Sequence, residues 1–276
     1  MTEGAILERV RAHLAERAAA ADDPHVTVGE RVVLVDLRDP ADGRLAGLAH
    51  RPPGEADGAW PSSVEALTSL SGADDPFSRA VGVATLNAIS RPLVDWRVGD
   101  PMASLSADVD VVATVGLFRP AFEKFSDVEV RVVERDPPDE VDAPPGVRVR
   151  TYGPADAAEA FDGADVCFVT GSTLLYGGLE TYLDALSAAS VSPVVLVGAT
   201  ASHWPRPAFD AGVDVVAGAR VDDPERVRRR VEGGECATDL HDEGVTKVFV
   251  AAEGETPKLS LPEEPYGESR TTETRP

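Results

Sequence analysis

The sequence predicts an α/β protein in which an α+β region is followed by a doubly wound, mostly parallel sheet. Three observations predict it. From about residue 110 to residue 251, short apolar runs alternate with helical segments, the pattern of βα units. Before residue 92 the order is different: a helix, a β-hairpin, then helices. Within the alternating region, Asp165 to Thr173 reads DVCFVTGST, a buried strand that stops at a glycine flanked by hydroxyls and is followed by a helix. In parallel sheets ligands collect at the carboxyl ends of strands, and that stretch has the composition of such an end.

The elements follow in order. Residues 3 to 20 form a helix, because Ile6, Leu7, Val10 and Leu14 recur at helical spacing before an alanine run. Val26 to Leu37 is a β-rich run, Asp39 to Gly43 a turn, and Leu45 to Ala49 the return strand. Arg51 to Trp60, rich in Pro and Gly, is loop. Ser62 and Glu65 stand at capping-box spacing before a helical VEALTSL segment. Asp74-Asp75-Pro76 opens a helix that reaches Ser90, with proline in its first turn. Arg91 to Leu105 connects two domains, placed at 1–92 and 103–252.

In the second domain the strands are 110–115, 128–133, 147–151, 166–170, 193–198, 213–217 and 246–251. Helices are expected at 156–161, 178–187, 207–211 and from Asp223-Pro224 to Gly233. From Glu253 to residue 276 the chain is polar and rich in Pro and Glu, the composition of a disordered tail.

Composition bounds the function. The net charge is −22, and lysine occurs only at Lys124, Lys247 and Lys258. Acids scattered along the chain with arginine as the main base predict a surface adapted to a high-salt cytoplasm, as in halophilic archaea. Such a surface disfavours nucleic acid and anionic membrane as partners. No window approaches the roughly 18 apolar residues of a membrane span. The N-terminus is charged throughout, unlike a signal peptide, so a cytoplasmic location is expected. Cys167 lies in an apolar strand and Cys236 far from it, which fits neither a zinc site nor a disulfide framework.

The candidate site residues lie at strand ends. Gly116-Leu117-Phe118-Arg119-Pro120 is not GxGxxG, so the standard dinucleotide fingerprint is absent. Glu134 closes the second strand 18 residues after Gly116, the offset of an acid that accepts a ribose hydroxyl. It is also one acid in a chain full of them. Thr170, Gly171, Ser172 and Thr173 read both as a strand-to-helix turn and as an anion cradle. Ser172 lacks the GxSxG context of a nucleophile. Gly198 to Thr200 ends the neighbouring strand on the same edge, with His203 just beyond as an acid–base or metal-ligand candidate. Asn87, a lone amide in AVGVATLNAIS, must find hydrogen-bond partners in the helix layer or reach into a cleft between domains. His50 and Arg51 are weaker candidates of that kind. His13 and His25 read as surface residues, and His241 as part of a polar loop.

Taken together, GVATLNA, TVGLF, the Glu134-Arg135-x-Pro137 segment, DVCFVTGSTLLYGGLETYLDAL, VVLVGATAS and GVDVVAGARVDDPE resemble the DUF364 family, labelled for heavy-metal chelation, with its DUF4213 domain. The resemblance covers about residues 5 to 235 and is strongest from Asp165 to Gly234. It implies an enolase-N-terminal-like first half, a Rossmann-like second half partly similar to methyltransferases, and a site between them. It also implies a role in heavy-metal chelation, or in making or processing pterin-, flavin- or siderophore-like chelators. On this resemblance Asn87 matches an INA-type asparagine, Glu134 the acid after the second strand, and Thr170 to Thr173 a TGTT-type turn. Two stretches depart from the family pattern: Thr173-Leu174-Leu175-Tyr176 where TLVN is common, and Gly198-Ala199-Thr200-Ala201-Ser202 where GPSTP is common.

The reading is a protein that binds a small anionic or nucleotide-like ligand in the interdomain cleft. Asn87, Glu134, Thr170, Gly171, Ser172, Thr173, Gly198 and Thr200 would contact it. No cofactor is identified, and no direct metal site is expected, since soft ligands and His clusters are lacking. A metal would arrive as part of a bound chelate. The rivals are a non-catalytic chelate-binding protein and an S-adenosylmethionine-dependent methyltransferase. A homodimer is the commonest oligomer and is expected on that ground alone.

Overall fold

The structure is a computed structural model and describes residues 4–54, 59–234 and 239–262. The chain opens with α1 (Ala5–His13) and α2 (Ala15–Ala20). The single helix expected here is broken at Leu14, whose backbone leaves helical geometry (ψ 2°) while its side chain stays buried. Then come β1 (Asp22–Val28), β2 (Val32–Asp39) and β3 (Gly43–His50), an antiparallel sheet in the order β1-β2-β3. The run read as one strand is therefore two, turning at Gly29 to Arg31.

Helix α3 (Val64–Ser69) is capped by Ser63, whose hydroxyl accepts from the Ala66 N–H at 3.3 Å. The cap lies one residue later than the Ser62 the capping-box spacing suggested. Helix α4 (Pro76–Ser90) runs as expected from its Asp75 cap. It is buried almost all round, as expected of a helix with no polar stripe. Gly47 on β3 sets its position: a Cβ there would stand 2.3 Å from the Ala84 carbonyl oxygen, so only glycine admits the helix at this distance.

The segment read as a connection contributes β4 (Arg97–Val98) to the larger sheet, where it forms the edge and pairs antiparallel with the last strand of the chain. Next come β5 (Val111–Val115), α5 (Arg119–Phe122), β6 (Glu129–Val133), β7 (Arg148–Tyr152) and α6 (Ala157–Phe161). They are followed by β8 (Val166–Thr170), α7 (Thr173–Tyr176), α8 (Leu179–Ala188), β9 (Val194–Val197) and α9 (Arg206–Phe209). The last elements are β10 (Val215–Val221), α10 (Pro224–Glu232) and β11 (Val245–Ala251).

The eight strands stand in the order β4-β11-β10-β9-β8-β5-β6-β7, parallel from β7 through β10 and antiparallel at β11 and β4. Strand order reverses between β5 and β8, which is the topological switch point of a Rossmann-like sheet. Side chains alternate across it: Ala113, Val115, Cys167 and Val169 join the core shared with α1, α4 and α8, whereas Val112, Val166 and Phe168 face the other side. On that other face the chain supplies less helix than a doubly wound sheet suggests. The short α5 covers it with Met102 and with Leu259, which forms a β-bridge to Leu105. The ordered 253–262 stretch thus departs from the disordered tail expected there, because Leu259 is buried in this core; residues 263–276 and Cys236 lie outside the described residues.

The two halves are packed together over a continuous interface. Val32, Leu34, Ala46 and Leu48 of the small sheet pack on Ala219, Val221, Val227 and Val231. This explains why Val32 to Leu37 is buried at every residue: β2 has cover on both faces, and a strand so placed reads as a continuous apolar run. Glu180 of α8, itself buried, accepts the Ile6 N–H at the start of α1. No described helix is long and apolar enough to cross a membrane.

Candidate functional site

The register brings four strand ends to one level. Val115 pairs with Val133 and Val169, and Thr170 with Val197, so Gly116, Glu134, Thr170 and Gly198 border the same edge at the switch point. Strand β3 of the first half arrives at this edge with His50 at its end.

The inner part of this cleft is closed by its own hydrogen bonds. As an edge strand, β3 presents polar backbone groups that its sheet does not pair. The Asn87 Nδ2 donates to the Leu48 carbonyl at 2.8 Å and approaches the carbonyls of Ala199 (3.1 Å) and Thr200 (3.2 Å). The His50 N–H donates to Thr200 Oγ1 at 2.9 Å. Asn87 and Thr200 therefore join the two halves, and both are buried. Three carbonyls around one amide fix its orientation with nitrogen toward them; Oδ1 is left without a partner among the described residues. The loop beyond is held as firmly. Ser202 Oγ donates to Ala199 O and accepts from Ala219 N, both at 2.8 Å. Gly198, with φ +115°, donates its N–H to Ala217 O, and Gly171 donates to Val197 O. Thr173 Oγ1 donates to Thr170 O at 2.8 Å.

His203 stands apart from the cleft. It is fully buried, with Nδ1 at 2.9 Å from the Trp204 carbonyl and Nε2 unpartnered. Burial holds its pKa below the ordinary histidine range, against a smaller opposing effect of the Trp204 carbonyl. His13 is stacked on Trp204, with ring centroids 3.6 Å apart.

The outer part of this edge is partly exposed to solvent. Thr170 Oγ1 and Ser172 Oγ are 2.9 Å apart and half-buried, so the pair keeps lone pairs and a proton for a third partner. Gly116 lies against them with φ +94°; a Cβ there would be 2.4 Å from Thr170 Oγ1. Glu134 holds the adjoining turn, its Oε2 accepting from Leu117 N and its Oε1 from Arg135 N, each at 2.9 Å. The Arg135 guanidinium lies over the Tyr176 ring, 4.0 Å from its centroid. Tyr176 Oη is 3.5 Å from His50 Nε2. His50 is exposed on its outer side, yet crowding of its ring by protein, and secondarily the Arg135 charge, lower its pKa. Burial raises the pKa of Tyr182, with Glu134 adding to the effect and Arg135 opposing it.

Of the residues chosen from sequence, Glu134, Thr170, Ser172 and His50 border the outer part. Asn87, Gly171, Thr173, Gly198 and Thr200 form the closed part, and His203 joins neither. Arg135 and Tyr176 were missed. The available signals were the Arg directly after Glu134 and the departure from the family pattern that ends at Tyr176.

Among the described residues no three His, Cys, Asp or Glu side chains are placed to hold a metal ion. Burial drives the Cys167 thiol far above its ordinary pKa, so it does not offer a thiolate. A cavity of about 640 Å³ lies elsewhere, at the β7 edge, lined by Asp139, Asp142, Arg150 and Glu159 among others. Four of its nine lining residues are acids, and it lacks the convergence of strand ends.

Fold and site define a two-part α/β protein with Rossmann strand order and a group of polar side chains at its switch point. The chain belongs to the DUF364 family, described as "Putative heavy-metal chelation", whose model matches residues 102–250. It is similar to a DUF364 protein of unknown function from Pyrococcus horikoshii, at TM-score 0.74 and 19% identity over 90% of this chain and 100% of that one. A DUF364 protein of unknown function from Desulfitobacterium hafniense DCB-2 is similar at TM-score 0.66 and 17% identity, over 90% and 99%. At these identities the likeness shows the fold. No curated protein matches the chain.

Proposed function

We propose that the protein binds a small anionic ligand, nucleotide-, pterin- or flavin-like in size, at the switch-point cleft between its two halves. Its role lies in metal-chelate metabolism, and any metal enters as part of the ligand. The observation that supports this most is the contrast within the cleft. Asn87 and Thr200 lock the halves together, while the Thr170–Ser172 hydroxyl pair, Tyr176 and His50 beside them keep hydrogen-bonding capacity open to solvent. The donor set argues against direct chelation: soft ligands are lacking at this edge, and carboxylate oxygens of Glu134 are engaged by backbone N–H groups.

The test is a thermal-shift screen in molar KCl, a medium chosen for the acidic surface. The panel holds pterins, flavin precursors, nucleotides, S-adenosylmethionine and loaded metal chelates. Stabilisation by an anionic ring compound or a loaded chelate is expected, since a ligand that binds only the folded state raises the melting temperature. Stabilisation by free divalent metal alone contradicts the reading. Stabilisation by S-adenosylmethionine alone points to methyl transfer instead.

A further inference from the structure

Many arginines among the described residues are committed to carboxylates. Arg17, Arg44, Arg220, Arg226 and Arg228 all have acidic partners within ion-pair distance. Arg135 has no such partner among the described residues, although the chain carries a net charge of −22. Its guanidinium lies over the Tyr176 ring instead. The adjacent Glu134 points its two oxygens at the backbone N–H groups of Leu117 and Arg135, which keeps that carboxylate turned into the β5 turn. Arg135 is exposed, and it stands at the end of β6 beside the switch point.

The chemistry of this arrangement is specific. Stacking on an aromatic face occupies the flat side of a guanidinium and leaves its in-plane N–H fork free. A fork held still by a ring matches the two oxygens of a phosphate or carboxylate, and less of its rotamer freedom remains to be lost on binding. The surroundings of His50, and secondarily the Arg135 charge, lower its pKa, which disfavours a second cation beside Arg135.

We propose that Arg135, seated on Tyr176, is the oxyanion receptor of the cleft and takes a phosphate or carboxylate group of the ligand through its in-plane N–H fork. This rests on the cleft being a ligand site, and it adds which residue holds the anionic end and what chemistry that end has.

The experiment measures dissociation constants for inorganic phosphate and for malonate, at constant molar KCl, on the full chain. It compares wild type with Arg135→Gln, Arg135→Lys and Arg229→Gln. Arg229 is exposed on α10, an element that supplies none of the site residues named above, and reports the effect of losing any one positive charge. We expect wild type and Arg229→Gln to bind alike, and Arg135→Gln to bind at least about tenfold more weakly, a decade being about 1.4 kcal/mol. Arg135→Lys keeps the charge without the fork and should fall between them, which preserves the test if Arg135→Gln folds poorly. Preference for phosphate or for malonate identifies the anionic group. Equal binding by wild type and both Arg135 variants overturns the proposal, as does equal weakening in Arg229→Gln. If wild type binds neither anion while a neutral compound of the screen protects it, the cleft stands and Arg135 is not its receptor. If nothing protects it, both fall.

Discussion

The two parts of the cleft use the same kinds of residue to opposite ends. In the inner part, Asn87, Thr200 and Ser202 are buried and bonded to the backbone of the facing element. In the outer part, the partly exposed Thr170 and Ser172 bond each other through their hydroxyls, and the exposed Arg135 lies over the ring of Tyr176. Backbone partners fix geometry, and side-chain partners can be exchanged for a ligand. The inner part should therefore govern stability, and the outer part binding.

Asn87 gives the largest expected effect. Replacing it with alanine leaves the Leu48 carbonyl buried without a donor and removes the Asn87 bridge from β3 to the Gly198–Ser202 loop, leaving the His50–Thr200 bond between them. A buried polar group left unpaired costs roughly 1–3 kcal/mol, so Asn87→Ala should lose about 3 kcal/mol in urea unfolding at molar KCl. A loss below about 0.5 kcal/mol, the range of neutral surface changes, would break the contrast.

Acid should next separate the outer part from a buried histidine that belongs to neither part. His50 and His203 both have folded-state pKa values below the ordinary range, chiefly through burial. The unfolded chain then takes up protons more readily, so stability is full above the ordinary histidine pKa of about 6.5 and falls as pH drops through it. His203 is fully buried and His50 is exposed on one side. His203→Gln should flatten the fall in melting temperature with acidification, and His50→Gln should change it little. The reverse order would place the sensitive group in the outer part.

The smallest expected effect on stability is at Arg135. Its guanidinium is exposed and stacked rather than bonded, so Arg135→Gln should shift unfolding by less than about 0.5 kcal/mol. Its consequence should appear in anion binding alone.

Much of this architecture was legible because it depends on periodicity. The strand from Val166 to Thr170 and the helix from Pro76 to Ser90 stand where their apolar patterns place them. Between Val26 and Leu37 the pattern misled, because cover on both faces of β2 erased the alternation that would have marked the turn. The site was legible in part for a related reason. Asn87 is conspicuous as an amide in an apolar helix, but the three carbonyls that engage it come from β3 and from a loop more than a hundred residues away. Nothing local reveals that its donors are already engaged. Arg135 and Tyr176 gave the opposite difficulty: an exposed Arg and an exposed ring are ordinary in sequence, and only the fold stacks them.

The most direct measurement is a crystal structure of the protein with the compound that stabilises it most in the screen. The account expects density for the ligand's anionic group within hydrogen-bond reach of the Arg135 guanidinium and the Thr170–Ser172 hydroxyls, with the Asn87 and Thr200 bonds unchanged. Density in the cavity at the β7 edge, or a ligand that displaces the Asn87 bonds to enter the inner part, would contradict it.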